Sequence, residues 1–311
     1  MISLLMVLAM QPDPAMLRGL FEQALARREQ QYGMLDARTA QAAHDLGMFL
    51  HNQQDDDGAR RALTEALRVD EKTRGLSAAR TLSDAADLAS VSPPEQAEPL
   101  WQRAAKSGDA ALAARSLAAL GELREAQGDR AGAAGFYRQA LAKQEAVRGK
   151  DDAQVAVRLN ELALVENPRA GVVLLQRALA IDRRAWGERH PETATAETNL
   201  SGLLLATGKI AESVRIAKAA LATFESTLGP DHPRTAVATS NLADALRAAR
   251  DYAGAERMYR RALAIDEAVY GPNRPETQSD VQNLADFLRE RGRNQEAQEL
   301  ERRLPVSGAP R

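Results

Sequence analysis

Apolar positions recur along this chain at the three- and four-residue spacing of a helix, and the resulting block then repeats at a much longer interval. From Pro233 onward Ala236, Thr239, Leu242, Ala243 and Leu246 fall on one stripe. A polar break at Arg250 and Asp251 follows, and then a second stripe of Tyr252, Ala255, Met258, Tyr259, Ala262, Leu263 and Ile265. Stripes of this width belong to helices that bury one face. The spacing therefore predicts two antiparallel helices joined by a tight tip. Pro233 suits the first turn of the first helix, where no N–H is needed. Gly271 ends the second, because glycine adopts the left-handed conformation that closes a helix, and Pro272 cannot continue it.

That hairpin is one copy of many. One leucine of each copy can be laid over the next, at Leu46, Leu88, Leu120, Leu162, Leu200, Leu242 and Leu284, and four of the six intervals are 42 residues. A turn glycine stands 13 residues before each, at Gly33, Gly75, Gly149, Gly187, Gly229 and Gly271, with only Gly108 out of step at 12 before Leu120. Ala66, Ala140, Ala220 and Ala262 follow their leucines by 20 residues, whereas Ala104 and Ala178 follow by 16. Four residues make about one helical turn, so the hairpins holding Leu88 and Leu162 should be about a turn shorter. The 32-residue interval from Leu88 to Leu120 loses six more, from the second helix or its linker.

Self-similarity at such a period implies a solenoid in which each hairpin contacts its neighbours. The expected fold is all-α, a right-handed superhelical solenoid of antiparallel helix hairpins. It should span residues 15–304, with seven hairpins preceded by an N-terminal half repeat and followed by a disordered tail at 305–311. Ala243, Ala255 and Ala262 should lie where facing backbones nearly touch.

The linkers repeat as well: Gly-Glu-Arg-His-Pro at Gly187 to Pro191, Gly-Pro-Asp-His-Pro at Gly229 to Pro233, and Gly-Pro-Asn-Arg-Pro at Gly271 to Pro275. With Asn-Leu-Ala in the first helix and Ala255, Tyr259 and Ala262 in the second, the chain from about Phe21 to Leu304 resembles the tetratricopeptide repeat. The 42-residue period and the His-Pro-x-Thr linker resemble the kinesin-light-chain-like variety. Asp87, Ala119 and Glu161 depart from it at the groove asparagine, and Ser213 and Ala217 depart from it in a second helix.

The resemblance implies a concave groove lined by the first helices, with asparagines that contact peptides. One residue before the repeat leucine stand Asn199, Asn241 and Asn283; two after it, Asp244 and Asp286; five after it, Arg247 and Arg289. These seven are the candidate peptide-binding residues. An asparagine amide both donates and accepts, which suits an extended main chain, and an arginine fork suits carboxylates. Two other roles stay open at this point. The asparagines can bond to the neighbouring hairpin and set its stacking, and Asp244 with Arg247 can pair on an exposed face for a few tenths of a kcal/mol. Upstream the matching places hold Gln41, His44, Asp45, Met48 and His51, then Arg115, Ala118, Ala119, Glu122 and Glu125. One ligand is thus expected on the last three hairpins rather than along the whole groove.

Composition narrows the functions further. A chain of 311 residues with 4% aromatics suits helices packed through alanine and leucine, and a net charge of −2 leaves no footprint for nucleic acid. No cysteine is present, so disulfides and thiolate chemistry are excluded. Gly202 to Lys209 superficially suggests a phosphate loop, but it has five residues between its glycines and Ile210 in place of Ser or Thr. His190 and His232 precede helix-starting prolines and read as caps. His44 and His51 are two turns apart, too few and too distant for a metal, and read as solvated groove residues; no metal or cofactor is expected. The acidic runs at Asp55 to Asp57 and at Asp151 and Asp152 read as solvated loop charge.

Repeats leave almost no residues for a catalytic domain. The expected function is a non-catalytic adaptor for a peptide or protein ligand, with a regulatory subunit of an enzyme complex or a self-associating structural protein as alternatives. Glu299, Glu301, Arg302 and Arg303 make a polar last turn that favours a monomer. No integral membrane segment is expected. Ile2 to Ala9 is apolar apart from Ser3, too short to span a bilayer, and reads either as an export signal ending in Val7-Leu8-Ala9 or as a degenerate first helix of a cytoplasmic protein.

Overall fold

The computed structural model describes residues 13–302, so the reading of Met1 to Ala9 and that of the 305–311 tail lie outside the described residues. All regular structure among those described is α-helical. The helices group into two compact units, one ending at Val147 and one beginning at Arg148. The first holds α1 (Pro14–Tyr32), then the hairpins α2 (Ala37–Asn52) with α3 (Asp56–Arg74), α4 (Ala79–Ser90) with α5 (Pro94–Ala104), and α6 (Ala110–Ala126) with α7 (Arg130–Arg148). The second holds four: α8 (Ala153–Val165) with α9 (Pro168–Trp186), α10 (Pro191–Ala206) with α11 (Ile210–Thr227), α12 (Pro233–Ala248) with α13 (Tyr252–Tyr270), and α14 (Pro275–Glu290) with α15 (Asn294–Glu301). Helix α1 stands alone before the first hairpin, and the hairpins number seven among the described residues. In each unit the helices pack mainly on their neighbours in sequence, as a helical-repeat solenoid requires.

The deletions fall where the spacing put them. Helices α4 and α8 have 12 and 13 residues against 16 in α10, α12 and α14, and α5 has only 11 against 19 in α13. All seven repeat leucines are buried, and Ala66, Ala104, Ala140, Ala178, Ala220 and Ala262 are each 0% exposed. Ala243 and Ala255 are equally enclosed.

The six in-register turn glycines take φ between 80° and 99°, whereas out-of-step Gly108 is not left-handed. Thr39, Thr193, Thr235 and Thr277 each donate a hydroxyl to the carbonyl of the glycine six residues earlier, at 2.7–2.8 Å, which fixes the entry into the next first helix. His190 and His232 do cap: each Nδ1 accepts the backbone N–H two residues on, at 3.2 and 3.1 Å.

The tips of the five longer hairpins also take a left-handed residue, eight after the repeat leucine. Gly128, Gly208 and Gly292 supply it, but Gln54 and Arg250 are held there at φ 63°. A side chain in that region costs on the order of 1 kcal/mol. Arg250→Gly should therefore raise stability by about 0.5–1 kcal/mol; urea melts showing a lower midpoint would refute this.

Candidate binding surface of the second unit

In the second unit the first helices α8, α10, α12 and α14 are stitched together through the residues the spacing singled out. Asn199 Nδ2 donates to Asn160 Oδ1 at 3.0 Å, joining α10 to α8. Asn241 Nδ2 reaches the Thr198 carbonyl at 3.4 Å, joining α12 to α10. Arg247 Nη1 meets Glu290 Oε1 at 3.3 Å, joining α12 to α14. The stacking role left open for asparagine is thus visible at Asn199 and Asn241.

The acidic candidates are engaged within their own hairpins. Asp244 accepts the Tyr259 hydroxyl at 2.5 Å and lies 3.8 Å from Arg247. Asp286 accepts from Gln282 at 2.9 Å and from Arg289 at 2.8 Å, and Arg289 also pairs with Glu301. Each arginine is shared between two carboxylates, and exposed pairs of this kind contribute little.

Asn241 and Asn283 also line a cleft of about 460 Å³ between α12, α13 and α14, together with Val237, Asp266, Tyr270, Glu276 and Asp280. At its base Asp280 is 7% exposed and Asp266 6%. Asp280 Oδ2 has no hydrogen-bond partner. Burial, reinforced by the charges of Asp266 and Asp244, pushes the Asp280 carboxyl up to about 7. Asp266 is raised by burial and by Glu276. A smaller cleft of about 240 Å³ between α8, α9 and α10 carries Asp182, Trp186 and Glu192, with Ala196 at the place of Asp280. Burial holds Asp182 at about 6.

Three expectations need correction. His44 is no solvated groove residue: its side chain is 15% exposed, and Nε2 lies 3.1 Å from Asp87 Oδ2 on the next hairpin. His51 pairs with Asp56 at 2.9 Å, and Asp55 caps α3 through the Gly58 N–H, so that acidic run is bonded rather than merely solvated. Asp152 caps α8 and Asp151 pairs with Arg184 at 2.8 Å. His44, Asp84 and Asp87 offer ligand atoms within 4.8 Å of one another. Arg80 stands 3.0 Å from Asp84 and Arg115 3.0 Å from Asp87, so guanidinium groups already balance those carboxylates. Gly202 lies within α10 and Lys209 just before α11, which leaves no phosphate loop.

The buried acids Asp266 and Asp280 were not picked from sequence. Their signal is a charged residue inside an otherwise apolar stripe: aspartate five before the turn glycine at Asp70, Asp182 and Asp266, and four before the repeat leucine at Asp84 and Asp280.

Profiles described as tetratricopeptide repeat match residues 39–77, 116–149, 195–268 and 240–304. The chain belongs to the tetratricopeptide repeat family, whose fold is that of a protein-interaction scaffold and is typically non-catalytic. No curated protein matches its sequence. Among solved structures, a putative kinesin light chain of nearly identical TPR-like repeats from Podosopora anserina is 23% identical over 61% of this chain and 92% of its own, with a TM-score of 0.50. The apo form of RapI is 11% identical over 85% of this chain and 95% of its own, with a TM-score of 0.69. A Rap protein complexed with competence and sporulation factor is 16% identical over 86% of this chain and 76% of its own, with a TM-score of 0.59. These likenesses are of fold. No described helix is long and apolar enough to cross a membrane.

Proposed function

We propose that the chain is a non-catalytic adaptor that holds a peptide or protein segment against the first helices of its last three hairpins, at Asn199, Asn241, Asp244, Arg247, Asn283, Asp286 and Arg289. The observation that carries this reading is the placement of Asn241 and Asn283 on the rim of one cleft, where their amides can meet a main chain. Neighbour stacking preorganises such a surface, so binding costs little protein entropy. The Rap protein of like fold was crystallised with competence and sporulation factor, which agrees with a ligand-holding use of the architecture.

The test uses partners recovered with tagged wild-type protein from its native cell. Asn241→Ala combined with Arg247→Ala should lower their retention by at least about tenfold, on the order of 1.4 kcal/mol, while circular dichroism stays unchanged. Undiminished retention by the folded double variant would remove the site assignment.

A further inference from the structure

The acidic pair at the base of the cleft has a copy in the first unit, where the same chain shows what such a pair is built to hold. There Asp70 and Asp84 occupy the repeat positions of Asp266 and Asp280 and are 1% and 0% exposed. Two arginines neutralise them: Arg74 Nε lies 3.0 Å from Asp70 Oδ1, and Arg80 Nε lies 3.0 Å from Asp84 Oδ1 and 3.8 Å from Asp70 Oδ2. The Arg80–Asp84 contact is an ion pair without hydrogen-bond alignment, since both Asp84 oxygens and Arg80 Nη2 lack hydrogen-bond partners. His44 Nε2 lies 3.9 Å from Asp84 on the same site.

In the second unit both arginines and the histidine are replaced. Tyr270 stands at the place of Arg74, Glu276 at that of Arg80, and Ser240 at that of His44. The remaining cation on the cleft wall, Arg234, is paired with Glu192 at 2.8 Å. A cleft with two buried carboxylates, a third acid at its rim, a partnerless Asp280 oxygen and no committed cation is electrostatically incomplete.

We propose that this cleft takes the guanidinium of an arginine presented by a partner peptide, standing where Arg74 and Arg80 stand in the first unit. The proposal rests on the peptide-binding reading above and names the side chain that such a peptide carries. A planar guanidinium can fork onto Asp280 and Asp266. The Tyr270 ring offers a face for the cation, and exposed Val237 offers packing for the aliphatic stem. The titratable groups around Asp280 are Asp244 and Arg234 on α12, Asp266 and Tyr270 on α13, and Glu276 on α14. Because burial holds Asp280 near 7, an arriving cation displaces its proton, and affinity should rise between pH 6 and pH 8.

The experiment selects displayed random twelve-residue peptides on full-length wild-type protein and on its Glu276→Arg and Asp280→Asn variants. Glu276→Arg installs in cis the arginine that the first unit already has. Peptides held by wild type should share one arginine, lose at least about tenfold in affinity when it is replaced by citrulline, and be released by both variants. Peptides held equally by all three proteins, or indifferent to citrulline, would overturn this inference while leaving the groove reading intact. Failure to select any peptide on wild type would overturn both readings. Competition by magnesium or calcium alone at millimolar concentration would reassign the carboxylates to a metal.

Discussion

Ala262→Phe is expected to destabilise the second unit by at least about 3 kcal/mol, the upper end of the usual overpacking cost. Ala262 is 0% exposed, and so is its counterpart in every other hairpin that has one. The uniformity shows that the methyl group is there because nothing larger fits between α13 and its neighbours. Interiors are packed at crystal density, so a benzyl group enters only by parting the helices. The core cluster of this hairpin contains Leu242, Leu246, Tyr259 and Leu263 and continues into Leu284 and Leu288 of the next hairpin. Strain at Ala262 therefore also weakens the interface by which α14 and α15 stack, since stability in a repeat array is a sum of unit and interface contributions. Urea unfolding followed by circular dichroism should show an earlier and broader transition. Val237→Phe, at a position 56% exposed, is the control and should change stability by less than about 0.5 kcal/mol. Equal midpoints for Ala262→Phe and the control would show that the small-residue register does not set helix spacing.

Much of this architecture was legible because it depends on residues that act locally or periodically. A glycine with φ near 85°, a histidine capping the turn after it, and a leucine one stripe further on each follow from chain-local sterics, so their repetition fixes element boundaries. What escaped was chemistry created between copies. His44 looked like a surface imidazole because its partner, Asp87, is 43 residues away and faces it only after α2 and α4 stack. Asn199 and Asn241 were legible as groove candidates, but their bonds to Asn160 and the Thr198 carbonyl, made to the neighbouring hairpin, were not. Arg250 hid a left-handed backbone because only comparison with Gly208 and Gly292 at the same repeat position reveals what the tip requires. The buried aspartates are the sharpest case. An isolated Asp in a helix is ordinarily solvated, and only the apolar register on either side of Asp266 and Asp280 betrays that these are enclosed.

Those aspartates make the protein's stability fall as pH rises, opposite to the usual behaviour of carboxylates. Asp280 titrates at about 7 and Asp84 and Asp182 at about 6 in the folded chain, all raised chiefly by burial above the ordinary 3.8. Between the two values the native state holds more protons than the unfolded state, so the unfolding free energy declines with increasing pH. His44, raised mainly by its bond to Asp87, acts in the same direction: its contribution is complete below the unfolded histidine value and is lost as pH climbs through the folded one. Asp87 is depressed by His44 and Arg115 despite its burial, so its contribution is instead lost in acid. The stability maximum should therefore lie near pH 4, where the decline from the raised acids meets the acid loss from Asp87. Asp280→Asn removes the largest of the unfavourable ionisations while keeping the shape of the protonated acid. It should raise stability at every pH above about 4, and by on the order of 2 kcal/mol more at pH 8 than at pH 5. Asp286→Asn, on an exposed carboxylate already paired with Arg289, should show no such pH-dependent gain. Loss of stability in Asp280→Asn at pH 8 would mean that the ionised carboxylate is held by a cation even in the unliganded chain. The acidic cleft would then be a structural ion-pair site rather than a receptor for an incoming guanidinium.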